Sequence, residues 1–74
     1  MSENYLTAEG KVRLEKELQE LKGPRRVELA NRLHAAVQQG DLSENADYIS
    51  AKEEQGFLEG RILELEEILK NVII

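Results

Sequence analysis

The sequence has no cysteine, which excludes disulfide staples and thiolate-bound metal clusters. One histidine, His34, excludes a multi-histidine metal centre. Proline is limited to Pro24, and the only aromatic rings are Tyr5, Tyr48 and Phe57. No apolar run approaches the roughly 20 residues that cross a bilayer, so no membrane association is expected. The opening segment MSENYLTAEGKVRLEKEL has neither the charged start nor the apolar stretch of a secretory signal. Positive charge is also in deficit: ten Lys and Arg face fifteen Asp and Glu, for a net −5. Phosphate backbones repel such a chain, so independent binding of duplex DNA is not expected. A cytoplasmic protein is the expectation, and the lack of cysteine fits a reducing compartment.

What is present points to helix. Charged residues make up 34% of the 74-residue chain and aromatics 4%, a profile of long helices rather than sheet. No β-branched stretch alternates with polar residues, so no strand is predicted. Thr7 is a good N-cap with Glu9 in the first turn. Leu14, Leu18 and Leu21 recur on one face. Pro24 removes a backbone donor and crowds the preceding turn, predicting a kink or break near Gly23–Pro24. The apolar face resumes at Leu29, Leu33 and Ala36, and Gly40 suits a helix end.

A second helix follows. Tyr48, Ala51, Gln55, Leu58, Ile62, Leu65, Leu69 and Val72 step by three and four, as a coiled-coil seam does. Gly56 and Gly60 weaken its middle by up to about 1 kcal/mol each relative to alanine. Close packing against the partner helix or a ring, with Phe57 nearby, is the expected reason. The short connection favours an antiparallel pair. The fold class expected is all-α: a long antiparallel two-helix coiled-coil hairpin, a single domain over 1–74. Its helices run over about 8–39 and about 44–72, with a tip turn at about 40–43. At 1.5 Å per residue the second arm spans roughly 45 Å. Such a rod has little interior, which argues against an enclosed active site.

At the tip, GDLSEN (Gly40 to Asn45) carries two carboxylates, Asp41 and Glu44. Two readings stand. In the first they start the second helix: Asp41 as N-cap with Glu44 closing a capping box, or Ser43 as cap with Glu44 and Asp47 in the first turn. In the second they are ligands. Magnesium takes oxygen donors, keeps several waters, and is often held by one or two carboxylates plus groups from a substrate. Two exposed carboxylates make a poor site alone and a useful part of one completed by a partner.

The segment GDLSENADYISAKEEQGFLEGRI, Gly40 to Ile62, closely resembles the Gre family of bacterial transcript cleavage factors, in its GreA-like branch. The family is marked by G-D-L-x-E-N-x-[ED]-Y followed by A-[KR]-x-x-Q-G-F-x-E-G-R-I. Gly40, Asp41, Leu42, Glu44, Asn45, Asp47, Tyr48, Ala51, Lys52, Gln55, Gly56, Phe57, Glu59, Gly60, Arg61 and Ile62 all match. LTAEGKVRLEKELQELK is similar to the family's opening helix.

The resemblance implies an N-terminal coiled coil whose companion C-terminal globular domain is absent from this chain. It implies a rod that enters the secondary channel of bacterial RNA polymerase and stimulates hydrolysis near the 3′ end of backtracked RNA. Asp41 and Glu44 would be the catalytic pair, helping to hold a Mg2+ shared with the polymerase active centre; none is expected in the isolated chain. The protein would not itself be an enzyme. Gly40, Leu42, Ser43, Asn45 and Tyr48 would shape the tip, and Lys52 would reach RNA phosphate or simply face solvent. Arg25 and Arg26 are expected in surface pairs, and His34 on the helix surface. Many family members carry a basic residue just before the tip; here Ala35, Ala36, Val37, Gln38 and Gln39 carry no positive charge. Two other functions compete. One is a channel-occupying inhibitor, disfavoured by the intact acidic tip. The other is a structural coiled coil acting as a dimerisation module through apolar edges at Leu58, Leu65 or Ile68; the chain itself is expected to be a monomer or to self-associate weakly through such edges.

Overall fold

The computed structural model describes residues 4–73. It is a helical hairpin measuring 49 × 23 × 13 Å. A two-residue strand β1 (Asn4–Tyr5) leads into α1 (Ala8–Glu20). A π-helical segment, Leu21–Arg25, joins α1 to α2 (Arg26–Gln39). After the tip turn, α3 (Ala46–Lys70) runs back to a second two-residue strand, β2 (Val72–Ile73). Among the described residues no helix is long and apolar enough to cross a membrane.

The first arm starts where its cap chemistry places it. Thr7 has extended backbone and its hydroxyl oxygen accepts the Gly10 N–H at 2.9 Å, satisfying one of the helix's orphan donors.

The interruption at Gly23–Pro24 takes the form of the π-helical segment. Pro24 has no N–H for the Glu20 carbonyl, and in an α-helix its ring would press on that carbonyl. A wider turn relieves the crowding and holds one additional residue. The seam needs that residue. Leu21 and Leu29 are eight positions apart, and at about 100° per residue eight steps of α-helix would carry Leu29 about 80° around the axis. The inserted residue returns it to the seam. Leu29 is 6% exposed and clusters with Ala51, Leu58 and Ile62, while Leu18, Leu21 and Leu33 pack against the same cluster. Residues on both sides of the π segment therefore share one face.

On α3, Ala51, Leu58, Ile62 and Leu65 are buried, and Tyr48, Gln55 and Leu69 are half-buried. Two sequence expectations need correction here. Leu58 and Leu65 are not open edges, since both are buried within the seam. Gly56 and Gly60 are exposed, and a Cβ at either would meet nothing within 4 Å. Close packing inside the hairpin does not explain them.

Strands are also present where none was expected. β1 and β2 pair in parallel, Asn4 opposite Val72 and Tyr5 opposite Ile73. The Leu6 N–H donates to the Ile73 carbonyl at 2.9 Å. Two-residue strands carry no alternation to read; the helices bring these ends together. Consequently α3 stops at Lys70, and Val72 belongs to β2 rather than to the helix.

Cross-arm ion pairs flank the seam. Arg26 grips Glu59 through two bonds of 2.9 and 2.6 Å. Arg61 grips Glu17 at 2.8 and 2.9 Å and also contacts Glu64. Lys22–Glu66 at 3.0 Å and Arg32–Glu54 at 2.5 Å complete the set. Bidentate Arg–carboxylate geometry fixes orientation more firmly than a point contact. Arg26 thus pairs on the surface; Arg25 makes no ion pair among the described residues.

Hydrogen bonding from Arg61 holds the Glu17 carboxyl below its ordinary value of 4.5, and Arg26 does the same for Glu59. A carboxyl depressed by folding contributes stability that is complete above 4.5 and is lost as pH falls through its lower folded value. The thermal midpoint, followed by circular dichroism, should therefore fall as pH drops below about 4.5. A Glu17→Gln, Glu59→Gln double variant should show a smaller fall, and an equal fall would contradict the assignment. Ile62→Ala, which opens the buried seam, should cost about 2–5 kcal/mol in urea unfolding at neutral pH.

Candidate functional site

The tip is built by backbone conformation. Gly40, at φ 78°, closes α2, its N–H donating to the Val37 carbonyl at 3.1 Å. Glycine takes positive φ without steric cost. Asp41 follows at φ 46°, the only non-glycine residue with positive φ among those described; Asp is among the few side chains that tolerate this region. Leu42 to Glu44 then turn, with the Glu44 N–H donating to the Asp41 carbonyl at 3.1 Å and the Asn45 N–H to the Leu42 carbonyl at 3.4 Å.

Asn45 holds the turn to both arms. Its side-chain oxygen accepts the Tyr48 N–H at 3.0 Å, capping α3. Its side-chain amide donates to the Ala36 carbonyl at 2.8 Å and the Gly40 carbonyl at 3.2 Å, two groups at the end of the first arm. It is 8% exposed, the one buried polar residue of the described chain. One amide group thus satisfies acceptors on α2 and a donor on α3.

This arrangement corrects the capping reading. Neither Asp41 nor Ser43 caps the second helix, which begins at Ala46 rather than near 44. Asp41 accepts a 3.4 Å bond from the Ser43 hydroxyl. The Glu44 side chain makes no hydrogen bond or ion pair among the described residues. Both carboxylates are exposed. Asp47, in the first turn of α3, accepts from the Gln39 side-chain amide at 3.1 Å, tying the arms together beside the tip.

Of the other residues singled out, Leu42 is exposed between the two carboxylates and Tyr48 is half-buried at the start of the seam. Lys52 lies about 6 Å further along α3, where its ammonium donates to Gln55 at 3.0 Å. His34 is exposed and contacts Gln38 at 3.5 Å. The capping role of Asn45 was legible in part: Asn is a strong N-cap, and the acidic Asp47 two positions on suits a first turn. The neighbouring carboxylates offered a second start that hid it.

No group of three or more metal-ligating side chains exists among the described residues. The chain offers two hard oxygen donors on one exposed turn. That set fits part of a magnesium shell, with the remainder coming from water and a partner, and does not make a closed site.

The family model described as "Transcription elongation factor, N-terminal" matches residues 4–74. The chain is 52% identical over 71 residues to transcription elongation factor GreA of Halalkalibacterium halodurans, covering 96% of this chain and 45% of that protein. It is 51% identical over 71 residues to GreA of Shouchella clausii, with the same coverage. Against GreA of Limosilactobacillus fermentum it is 51% identical over 69 residues, 93% of this chain and 44% of that one. The chain spans a little under half the length of these curated relatives.

If Asn45 carries the turn, Asn45→Ala should lower stability by about 2 kcal/mol, through a lost cap and a buried Ala36 carbonyl left without its partner. Asp41→Asn and Glu44→Gln should each change it by less than about 0.5 kcal/mol. Urea unfolding of the three variants measures this; a large loss in either carboxylate variant would restore a structural role to that residue.

Proposed function

We infer function from a fixed premise: the chain belongs to the transcription elongation factor N-terminal family, the family of the GreA and GreB factors. We propose that it acts as the probe of a transcript cleavage factor. The hairpin enters the secondary channel of bacterial RNA polymerase and presents its tip to the active centre, where it stimulates the polymerase's own cleavage of backtracked RNA and so rescues arrested complexes. The setting is cytoplasmic.

One observation carries this reading: two exposed carboxylates stand at the end of a rod 49 Å long and 13 to 23 Å across, and neither serves the helix they precede. A thin rod reaches through a narrow opening. Neither carboxylate bonds to either arm; Asp41 accepts only from Ser43 within the turn, and both are exposed to another molecule.

In the proposed complex Asp41 and Glu44 supply oxygen ligands toward a magnesium that the polymerase holds weakly. Each 1.4 kcal/mol of added binding raises occupancy tenfold while the site is unsaturated. A magnesium held there, with Asp41 and Glu44 among its ligands, would supply Lewis-acid chemistry toward the phosphate and would acidify a bound water. Gly40 and Asn45 position the carboxylates by fixing the turn, and the Ser43 hydroxyl orients Asp41. Leu42 helps shape the turn between them, and Tyr48 supports its base. Lys52 can exchange its bond to Gln55 for an RNA phosphate. With no positive charge from Ala35 to Gln39, grip on extruded RNA is weak, which suits short backtracks.

Placed within a full-length factor, Asp41→Asn or Glu44→Gln should reduce stimulated cleavage at least about tenfold, the effect of losing only about 1.4 kcal/mol of ligand binding. Polymerase affinity should stay within about twofold of wild type. RNA product length on stalled, backtracked complexes reads the first quantity and a competition binding assay the second. Unchanged cleavage in either variant would refute the assigned role, and bound factor yielding no shortened RNA would favour the inhibitor reading.

A further inference from the structure

The tip is rich in acceptors and poor in donors. Asp41, Glu44 and Asp47 bring carboxylates to it, and no Lys or Arg lies between Leu33 and Ala51. An RNA phosphate brought to this end meets charge of its own sign, so any group there that can donate a hydrogen bond matters. From Ala36 to Tyr48 almost every side-chain donor group already has a partner. The Asn45 amide donates to the Ala36 and Gly40 carbonyls. The Gln39 amide donates to Asp47, Gln38 contacts His34, and the Ser43 hydroxyl donates to Asp41. One hydroxyl is left: the phenol O–H of Tyr48 makes no hydrogen bond among the described residues.

The surroundings of Tyr48 direct that hydroxyl toward the tip. The residue is half-buried, and no buried side-chain oxygen or nitrogen among the described residues lacks a partner. The unbonded phenol end therefore reaches solvent. Tyr48 is the third residue of α3, about 4.5 Å along the axis from Asn45. Long helical side chains lie back over the turn that precedes them, and for Tyr48 that turn is the tip. Its own N–H is held by the Asn45 side-chain oxygen at 3.0 Å, and Ala51, three residues on, is buried in the seam. The ring is thus fixed at its base with its polar end outward, the usual habit of an amphipathic side chain.

The chemistry of the site indicates what the hydroxyl meets. It adds nothing to the seam, because a phenyl ring fills the same space. A phosphate offers only acceptor oxygens, which a phenol O–H matches. A lysine or arginine at this position would also attract phosphate, but it would pair with Asp41 or Glu44 and tie up the groups that the metal needs. A hydroxyl donates to the phosphate and leaves both carboxylates open.

We propose that the Tyr48 hydroxyl is the tip's donor to RNA, hydrogen-bonding a non-bridging oxygen of the phosphate under attack while Asp41 and Glu44 serve the metal. The inference rests on the function proposed above and gives Tyr48 a catalytic contact beyond its support of the turn. The proton stays on the phenol throughout. The bond strengthens as negative charge gathers on the phosphate oxygens, so it speeds cleavage more than it tightens binding.

Tyr48→Phe removes the hydroxyl and keeps the ring, which separates this contact from packing. Placed in a full-length factor, the variant should cleave backtracked RNA at least about tenfold more slowly at saturating factor. Its Tm should stay within about 2 °C of wild type. Its Kd for RNA polymerase and its magnesium half-saturation should stay within about twofold, whereas the half-saturation of Asp41→Asn moves. Cleavage by Tyr48→Phe at the wild-type rate would overturn the proposal, and the carboxylate assignment would stand so long as Asp41→Asn is impaired. If Asp41→Asn also cleaves normally, the proposed function falls with it. A clear loss of Tm in Tyr48→Phe would make the hydroxyl structural. A magnesium half-saturation shifted as in Asp41→Asn would put the hydroxyl on the metal's shell rather than on phosphate. Either result overturns the contact proposed.

Discussion

The tip depends on one side-chain amide. Asn45 is buried, donates to the Ala36 and Gly40 carbonyls of the first arm, and accepts the Tyr48 N–H of the second. A buried polar group left unpaired would be costly, so this side chain has one favourable position, and that position sets the turn. The consequence is chemical as well as structural. Because an amide, which has no charge to lose, caps α3, the two carboxylates ahead of it are released from capping and project from an end of the rod. A hairpin capped by Asp41 or Glu44 would have tied up the groups that its proposed function needs.

Behind the tip, the rod is kept in register by two devices. The seam buries Leu29, Ala51, Leu58, Ile62 and Leu65, and paired arginines at 26 and 61 lock carboxylates on the opposite arm. The π-helical segment lets both work over the whole length. Without its added residue, the leucines before and after Pro24 would face different directions, and the first arm would leave the seam halfway along. Proline does not break the helix here; it sits in the segment that corrects the helix's phase. The outer face of α3 has the opposite character, open and apolar with bare backbone, and contributes little to holding the hairpin together.

Much of this was legible in the residues. The 3–4 spacing of the second arm named nearly every buried position, and Thr7, Gly40 and the short GDLSEN connection fixed the ends and the antiparallel return. The eight-residue step from Leu21 to Leu29 was also visible and signals an extra residue in the turn, but the local effect of Pro24 obscured it. Three features could not be read locally. The β1–β2 ladder follows from where the helices end, not from strand propensity. The cap at Asn45 competes with equally good caps at Asp41 and Ser43, and only the long-range bonds to Ala36 and Gly40 decide among them. The exposure of Gly56 and Gly60 depends on which face of α3 meets the partner arm, and the small size of glycine suggested a buried contact that does not exist.

The fold thus presents two exposed carboxylates that cap no helix at the far end of a thin rod, and the proposed use is as ligands lent to a weakly held metal. Transcript cleavage measured across a magnesium series, with wild-type and Asp41→Asn tips in otherwise identical factors, tests this most directly. The expected result is a magnesium half-saturation point shifted at least about tenfold higher in the variant, with cleavage partly recovered at high magnesium. Equal half-saturation in the two, with only the maximal rate changed, would contradict a ligand role for the tip.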